Sequence, residues 1–303
     1  MSGLIDYAGL FPPAKLSMGD CAANYAQYLE GADSWMLGRF VVPVSRLEEF
    51  RVAAIPRLPR AGGADPWPLS ALIDGDLEEN LDAVFAFNHE HSTPKNGLAI
   101  IDAVEIKVPT SEDGGLTRAS AEFIDGALDT LPEGLYPFFE LSASADVRGC
   151  VAALAGADAG AKIRTGGVSA DAIPKAHAVA EFLIACAAAE VPFKATAGLH
   201  HAVRGEQALT YESGSPRAVM HGFLNVFIGA AFVLAHRVDA AQATRVLEET
   251  DPTSFTFSDG AVSWRGRSLD ISQLERTREQ FALSFGSCSF EEPATELRRL
   301  GAI

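Results

Sequence analysis

Cysteine is scarce in this chain, with 4 in 303 residues. Cys21, Cys150, Cys186 and Cys288 are not spaced as CxxC or as a close pair. That excludes a disulfide scaffold and a zinc ribbon, and the four are read as reduced, mostly buried thiols. Positive charge is also short: Lys and Arg number 24 against 40 Asp and Glu, for a net charge of −16. Most of such a surface repels a polyanion, and no basic stripe interleaved with aromatics is present, so nucleic acid is excluded as a partner. Long apolar runs are missing too. The longest, 222–235 (GFLNVFIGAAFVLA), falls short of the roughly 20 residues that span a bilayer. It reads as a buried helix, with no membrane partner. The opening MSGLIDYAGLFPPAK has no basic segment followed by an apolar run. No secretory signal is therefore expected, and the location read from it is cytoplasmic.

What is present is a core and a rhythm. Hydrophobic residues make up 48% and charged residues 21%, the balance of an ordinary globular protein. No linker or low-complexity tract divides the chain, so 1–303 is read as one domain. Short apolar segments ending in polar residues alternate with amphipathic stretches. The strands predicted are 39–43 (RFVVP), 70–74 (SALID), 103–108 (AVEIKV), 136–141 (YPFFEL), 161–164 (AKIR) and 191–195 (VPFKA). Helices fall at 77–88, 116–130 and 171–189. Strand starts recur every ~25–35 residues, the length of a βαβ unit, which argues for a parallel sheet. Beyond Lys194 a polar loop leads to a buried helix near 219–236, and 254–265 (SFTFSDGAVSWR) reads as an inserted β-hairpin turning at Asp259-Gly260. Taking the first arm of that hairpin as the seventh strand and 282–287 as the eighth gives an α/β fold, a (β/α)8 TIM barrel. A doubly wound open sheet is the alternative.

Charges at the strand ends carry the chemistry. Side chains two apart on a strand share a face, so Glu105 pairs in parity with Lys107, Lys162 with Arg164, Lys194 with Thr196, and Glu140 with Ser142. Outward faces of barrel strands pack on helices and cannot hold charge cheaply. Glu105, Glu140, Arg164 and Lys194 are therefore expected to line one pocket at the C-terminal end of the barrel. An interlocked ion-pair layer without catalytic duty is the plainer explanation of the same residues. Lys194 ranks first among the catalytic candidates, with Glu105, Glu140 and His200 as acid/base partners. Flanked by Phe193 and Ala195 and near other cations, its ammonium is expected to be disfavoured and its pKa lowered.

Glycine-rich segments follow these strands. Thr165-Gly166-Gly167 and Ala197-Gly198 let backbone amides approach an anion, and Ser287 stands in a similar small-residue run, Phe285–Ser289. With Lys107, Lys162 and Arg164 they make the predicted binding set for a small anionic substrate. His200, His201 and His221 raise a metal alternative with Glu105 and Glu140, although no HExxH spacing supports it. The leading reading holds no metal and no cofactor.

Several of these segments resemble the deoxyribose-phosphate aldolases. Residues 4–14 (LIDYAGLFPPA) look like that family's opening Ile-Asp-His-Thr-Leu-Leu-x-Pro, and KIRTGG at 162–167 its Lys-Thr-Ser-Thr-Gly strand. FKATAGL at 193–199 and the terminal FGSCS are similar to its second lysine strand and its phosphate loop. The resemblance implies a barrel of the class I aldolase type. It departs where the family's Schiff-base lysine falls on Arg164 and its catalytic aspartate on Lys107; only the second lysine, at Lys194, is kept. The expectation is thus an aldolase-like lyase or isomerase acting on a small phosphate- or carboxylate-bearing oxo or hydroxy compound, with Lys194 as Schiff base or acid/base. A metal-dependent barrel enzyme and a non-catalytic anion-binding barrel are the alternatives, and a homo-oligomer is allowed.

Overall fold

In the computed structural model, which describes residues 1–303, the alternating segments build eight parallel strands closed into a barrel. β1 (Ile5–Tyr7) leads through α1 (Met18–Glu30) to β2 (Leu37–Pro43), and α2 (Leu47–Ala54) precedes β3 (Trp67–Leu72). The rhythm continues with α3 (Leu77–Glu90), β4 (Ala99–Lys107), α4 (Arg118–Thr130) and β5 (Tyr136–Leu141). α5 (Arg148–Leu154), β6 (Gly160–Arg164), α6 (Ala176–Ala188) and β7 (Phe193–Thr196) follow. The chain then inserts a hairpin of β8 (Gly205–Ala208) and β9 (Arg217–Met220), and two helices, α7 (Phe223–His236) and α8 (Ala240–Leu247). A three-stranded antiparallel sheet of β10 (Phe255–Ser258), β11 (Ala261–Trp264) and β12 (Arg267–Asp270) comes next, then α9 (Ile271–Gln280). β13 (Ala282–Ser287) closes the barrel against β1 and β7, and α10 (Glu291–Arg299) follows it.

Polar residues at the helix starts fix where each begins. Ser17 accepts from the Asp20 amide at 3.1 Å to start α1, and Asp76 accepts from Glu79 at 3.2 Å to start α3. Reciprocal capping boxes, Thr117 with Ser120 and Asp270 with Gln273, start α4 and α9. Each cap contributes about 1 kcal/mol by satisfying amides that the first turn leaves unpaired. α7 is apolar almost all round because α6, α8, α9 and β13 enclose it. Its one buried amide, Asn225, is fully used: Nδ2 donates to the carbonyls of Val246 and Glu249 at 2.8 Å each, and Oδ1 accepts from the Arg204 amide at 2.8 Å.

The barrel bears out the expected fold, and closure removes the open-sheet alternative. One strand assignment is corrected. The hairpin at 254–265 forms, with Ser258 opposite Ala261 across its turn, but β12 joins it in a sheet of its own, off the barrel. The remaining barrel strand is β1, whose three residues are too few to show a period. Lys194 accordingly lies on the seventh strand of the chain rather than the sixth. Residues 217–220, at the front of the expected 219–236 helix, pair as β9 instead.

Candidate active site

The inward positions of β4 to β7 stand side by side in register: Lys107 beside Glu140, Glu140 beside Lys162, and Lys162 beside Lys194. Closure adds β1 and β13 to this neighbourhood, with Ser284 beside Lys194. The result is a ladder of alternating charge across the barrel interior. Lys194 Nζ lies 2.6 Å from Asp6 Oδ2 and 2.5 Å from Glu105 Oε1; Lys162 Nζ lies 2.6 Å from Glu105 Oε2 and 2.7 Å from Glu140 Oε2. Neutral donors add to the carboxylates of Glu105 and Asp6. Ser70 Oγ donates to Glu105 at 2.9 Å, Ser284 Oγ to Asp6 at 2.8 Å, and the Arg39 amide to Asp6 at 2.7 Å.

Electrostatics at the ladder reverse one expectation. Burial does disfavour the Lys194 ammonium, but Asp6 and Glu105 outweigh it, and its pKa is raised rather than lowered. Burial likewise works to raise the Glu105 carboxyl; Lys162 and Lys194 outweigh it and hold that carboxyl far below the usual range. Lys194 is an ammonium between two carboxylates, 1% exposed, and it does not line the cavity above it.

That cavity, about 660 Å³, opens at the C-terminal ends of the strands. Its floor is Glu105, Glu140 and Lys162; Lys107, Arg164 and Thr196 stand at the strand ends, and the β8–β9 hairpin supplies one wall through Gln207–Tyr211 and Arg217. Four fixed cations, Lys107, Lys162, Arg164 and Arg217, face three carboxylates, Glu105, Glu140 and Glu292. Lys107 and Arg164 are exposed, and neither has a carboxylate within ion-pair distance.

The predicted site residues thus divide. Glu105, Glu140, Lys107, Lys162, Arg164, Gly167, Gly198 and His200 line the cavity. Lys194, Thr165, Gly166 and Ser287 sit behind its surface, each buried. Thr165 Oγ1 donates to the Ala197 carbonyl at 2.8 Å. A Cβ on Gly166 would meet the Gly198 Cα at 3.0 Å, so these glycines permit two loops to cross closely. The metal alternative is corrected: no cluster of three or more His, Cys, Asp or Glu side chains is placed to hold an ion, and an ammonium, Lys162 Nζ, fills the gap between Glu105 and Glu140. His221 is buried with Nε2 2.8 Å from the Pro174 carbonyl, and burial lowers its pKa to about 4.

The sequence reading missed a second cluster at the mouth. β7 and β13 are neighbours, so the loops after them converge and bring His200 beside Cys288. His200 Nδ1 lies 3.3 Å from Glu292 Oε2, and the Cys288 Sγ lies 3.9 Å from both Nδ1 and Nε2. Tyr211 OH donates to Glu292 at 3.0 Å and lies 3.7 Å from the same sulfur. Burial works against a charged His200 ring, but its bonds to Cys288 and Glu292 outweigh that and raise its pKa to about 9. Adjacent His201 turns the other way, to Glu296 Oε1 at 2.7 Å. The available sequence signal was Cys288 within the small-residue run after the last strand.

No protein-family model matches this chain, and no curated protein matches it. Among solved structures, the spore cortex-lytic enzyme SleL of Bacillus cereus is similar at a TM-score of 0.39 and 12% identity, over 99% of this chain and 74% of that one. A likeness at that level bears on none of the chemistry. The expected aldolase-like lyase or isomerase is corrected at the site itself. Iminium formation requires a free amine facing the substrate, and Lys194 is a clamped ammonium outside the cavity. The aldolase resemblance extends only to the barrel. No helix is long and apolar enough to cross a membrane.

Proposed function

We propose that this chain is an enzyme that takes a small substrate into the barrel mouth by its carboxylate or phosphate group and hydrolyses it, with His200 moving the proton. The single observation that carries the reading is the pair of unmatched cations. Many lysines and arginines of this chain lack a carboxylate partner, but Lys107 and Arg164 are the two that lack one while lining the cavity. Arg164 and Lys107 stand without one at the open end of a cavity. Cations left unpaired there focus a positive field on whatever enters, and a guanidinium fork matches a carboxylate or phosphate with two bonds.

Hydrolysis suits the remaining groups better than carbon–carbon chemistry. Lys162 is an ammonium held by Glu105 and Glu140, so it donates hydrogen bonds but offers no nucleophilic amine. His200 reaches into the same space with its carboxylate partner already in place, which is the arrangement general acid–base catalysis uses. A reducing, cytoplasmic setting belongs to this reading, in keeping with four unpaired thiols.

Thermal unfolding with added inorganic phosphate or malonate, against neutral malonamide, tests the proposal. The anions should raise the midpoint, and Arg164→Gln should remove most of that shift. Hydrolysis of 4-nitrophenyl hemisuccinate should exceed that of neutral 4-nitrophenyl acetate. Equal stabilisation by the neutral diamide, or equal hydrolysis of the two esters, would sink the reading.

A further inference from the structure

Three of the four thiols are sealed. Cys21 and Cys186 are 0% exposed and Cys150 is 1% exposed; burial pushes the Cys21 thiol up to about 11 and the other two upward as well. Cys288 is buried too, at 6% exposed, but differs from them in its surroundings. It lies one residue past β13, at the catalytic end of a barrel, and lines the cavity. An imidazole stands beside its sulfur, 3.9 Å from both ring nitrogens, a carboxylate stands on Nδ1 of that imidazole, and a phenol bridges carboxylate and sulfur.

The geometry points to Cys288 as the covalent nucleophile of this site, paired with His200 and Glu292, acting on an ester or thioester whose acyl group carries the anionic charge. The order of groups is what thiol catalysis requires: nucleophile, then base, then a carboxylate that fixes the base. An imidazolium next to a thiol favours the thiolate, and with Nδ1 on Glu292, Nε2 is the nitrogen left without a carboxylate, 3.9 Å from the sulfur as Nδ1 also is. The inference rests on the anionic-substrate reading only for the identity of the acyl group; the nucleophile stands on its own geometry.

The step balances without any further reactant but water. The Cys288 thiol proton resides on His200, and the thiolate attacks the carbonyl carbon. A C–S bond forms and the carbonyl π pair moves to oxygen, toward which the Tyr211 hydroxyl can turn. The tetrahedral adduct collapses, the bond to the leaving alcohol or thiol breaks, and His200 returns its proton to that group. Water, deprotonated by His200, then attacks the acyl-sulfur carbon, and the C–S bond breaks. The products are a carboxylic acid and an alcohol or thiol, with the enzyme restored.

Alkylation of the intact protein by iodoacetamide, mapped by peptide mass, tests the nucleophile without reference to any substrate. Near pH 6.5, Cys288 should be the residue labelled, about tenfold or more faster than glutathione, because an ordinary thiol is almost wholly protonated there. The rate should be nearly flat from pH 6.5 to 8, and His200→Gln should slow it about tenfold. A Cys288 rate no faster than glutathione, rising with pH like a free thiol, overturns the inference even if H200Q fails to fold. Iodoacetate provides the second arm. It should label Cys288 faster than iodoacetamide does, and Arg164→Gln should reverse that preference. Fast labelling by the neutral reagent with no preference for the anion keeps the nucleophile and overturns the anionic-substrate reading alone.

Discussion

The barrel interior and the barrel mouth hold the same kinds of charge and treat them oppositely. Inside, Asp6, Lys194, Glu105 and Lys162 are buried and matched, each ion within 2.5–2.6 Å of a counter-ion. At the mouth, Lys107 and Arg164 are exposed and unmatched, and His200 is poised between a carboxylate and a thiol. Desolvating an ion costs several kcal/mol, and a buried ion persists only where partners offset that cost. A ladder whose ions are already paired leaves a substrate only its cavity-facing edge, Glu105, Lys162 and Glu140. Chemistry is therefore expected where the matching is incomplete, and the most buried lysine is not the most reactive one.

The largest contrast should come from breaking each region by one charge. Lys194→Met leaves Asp6 without a counter-ion in the interior and Glu105 with Lys162 alone, and should cost about 3–5 kcal/mol in urea unfolding. Arg164→Gln should change stability by less than about 0.5 kcal/mol, as a surface substitution does. Similar costs for the two would erase the distinction between interior and mouth.

Titration should separate the regions by the direction of pH. Glu105 has its carboxyl held down in the folded state. Its contribution is complete above the unfolded value of about 4.3 and is lost as pH falls below it toward the folded value. His200 has the opposite sign: raised to about 9, it contributes fully below the unfolded value of about 6.5, and that contribution is lost as pH rises through about 9. Thermal midpoints from acid to alkaline pH should show both declines, and H200Q should remove the alkaline one only. An NMR titration placing the His200 midpoint near 6.5 would remove the mouth from the comparison.

A smaller effect concerns how rigidly the mouth is held. Gly166→Ala must part the loops after β6 and β7, because its Cβ would lie 3.0 Å from the Gly198 Cα. Overpacking of that kind costs about 1–3 kcal/mol, and a stability unchanged by G166A would mean that the loops give way freely. Arg164→Lys should do least to the fold and act on the ligand. Keeping charge but losing the fork, it should weaken phosphate binding by about 1 kcal/mol or more; unchanged binding would assign the anion site to Lys107.

Much of the ladder was legible from the sequence because strand parity is local: Glu105, Glu140, Lys162 and Lys194 each betray themselves as charges inside apolar strands. The partner that decides Lys194 was not legible. Asp6 lies on a three-residue strand at the other end of the chain, and only closure of the barrel, β1 against β13 and β13 against β7, brings it alongside. Judged by Phe193 and Ala195 alone, Lys194 looks desolvated and poised to lose its proton; with Asp6 and Glu105 in place it is locked as an ammonium. Cys288 was hidden for a related reason. Its partners His200, Glu292 and Tyr211 come from three separate loops or helices, and no spacing within the chain announces them. The seventh barrel strand was misplaced because a well-formed hairpin pattern outcompeted a strand too short to have one.

Reductive methylation of the native protein with formaldehyde and borohydride, followed by peptide mass mapping, tests the central claim most directly, since it reports which lysine amines are free to attack a carbonyl. Methylation should fall on Lys107 at the open mouth, while Lys194 and Lys162 stay unmodified until the protein is unfolded. Methylation of Lys194 in the folded protein as fast as Lys107 would show that the interior ladder is open and that its lysine, not the mouth, is the reactive centre.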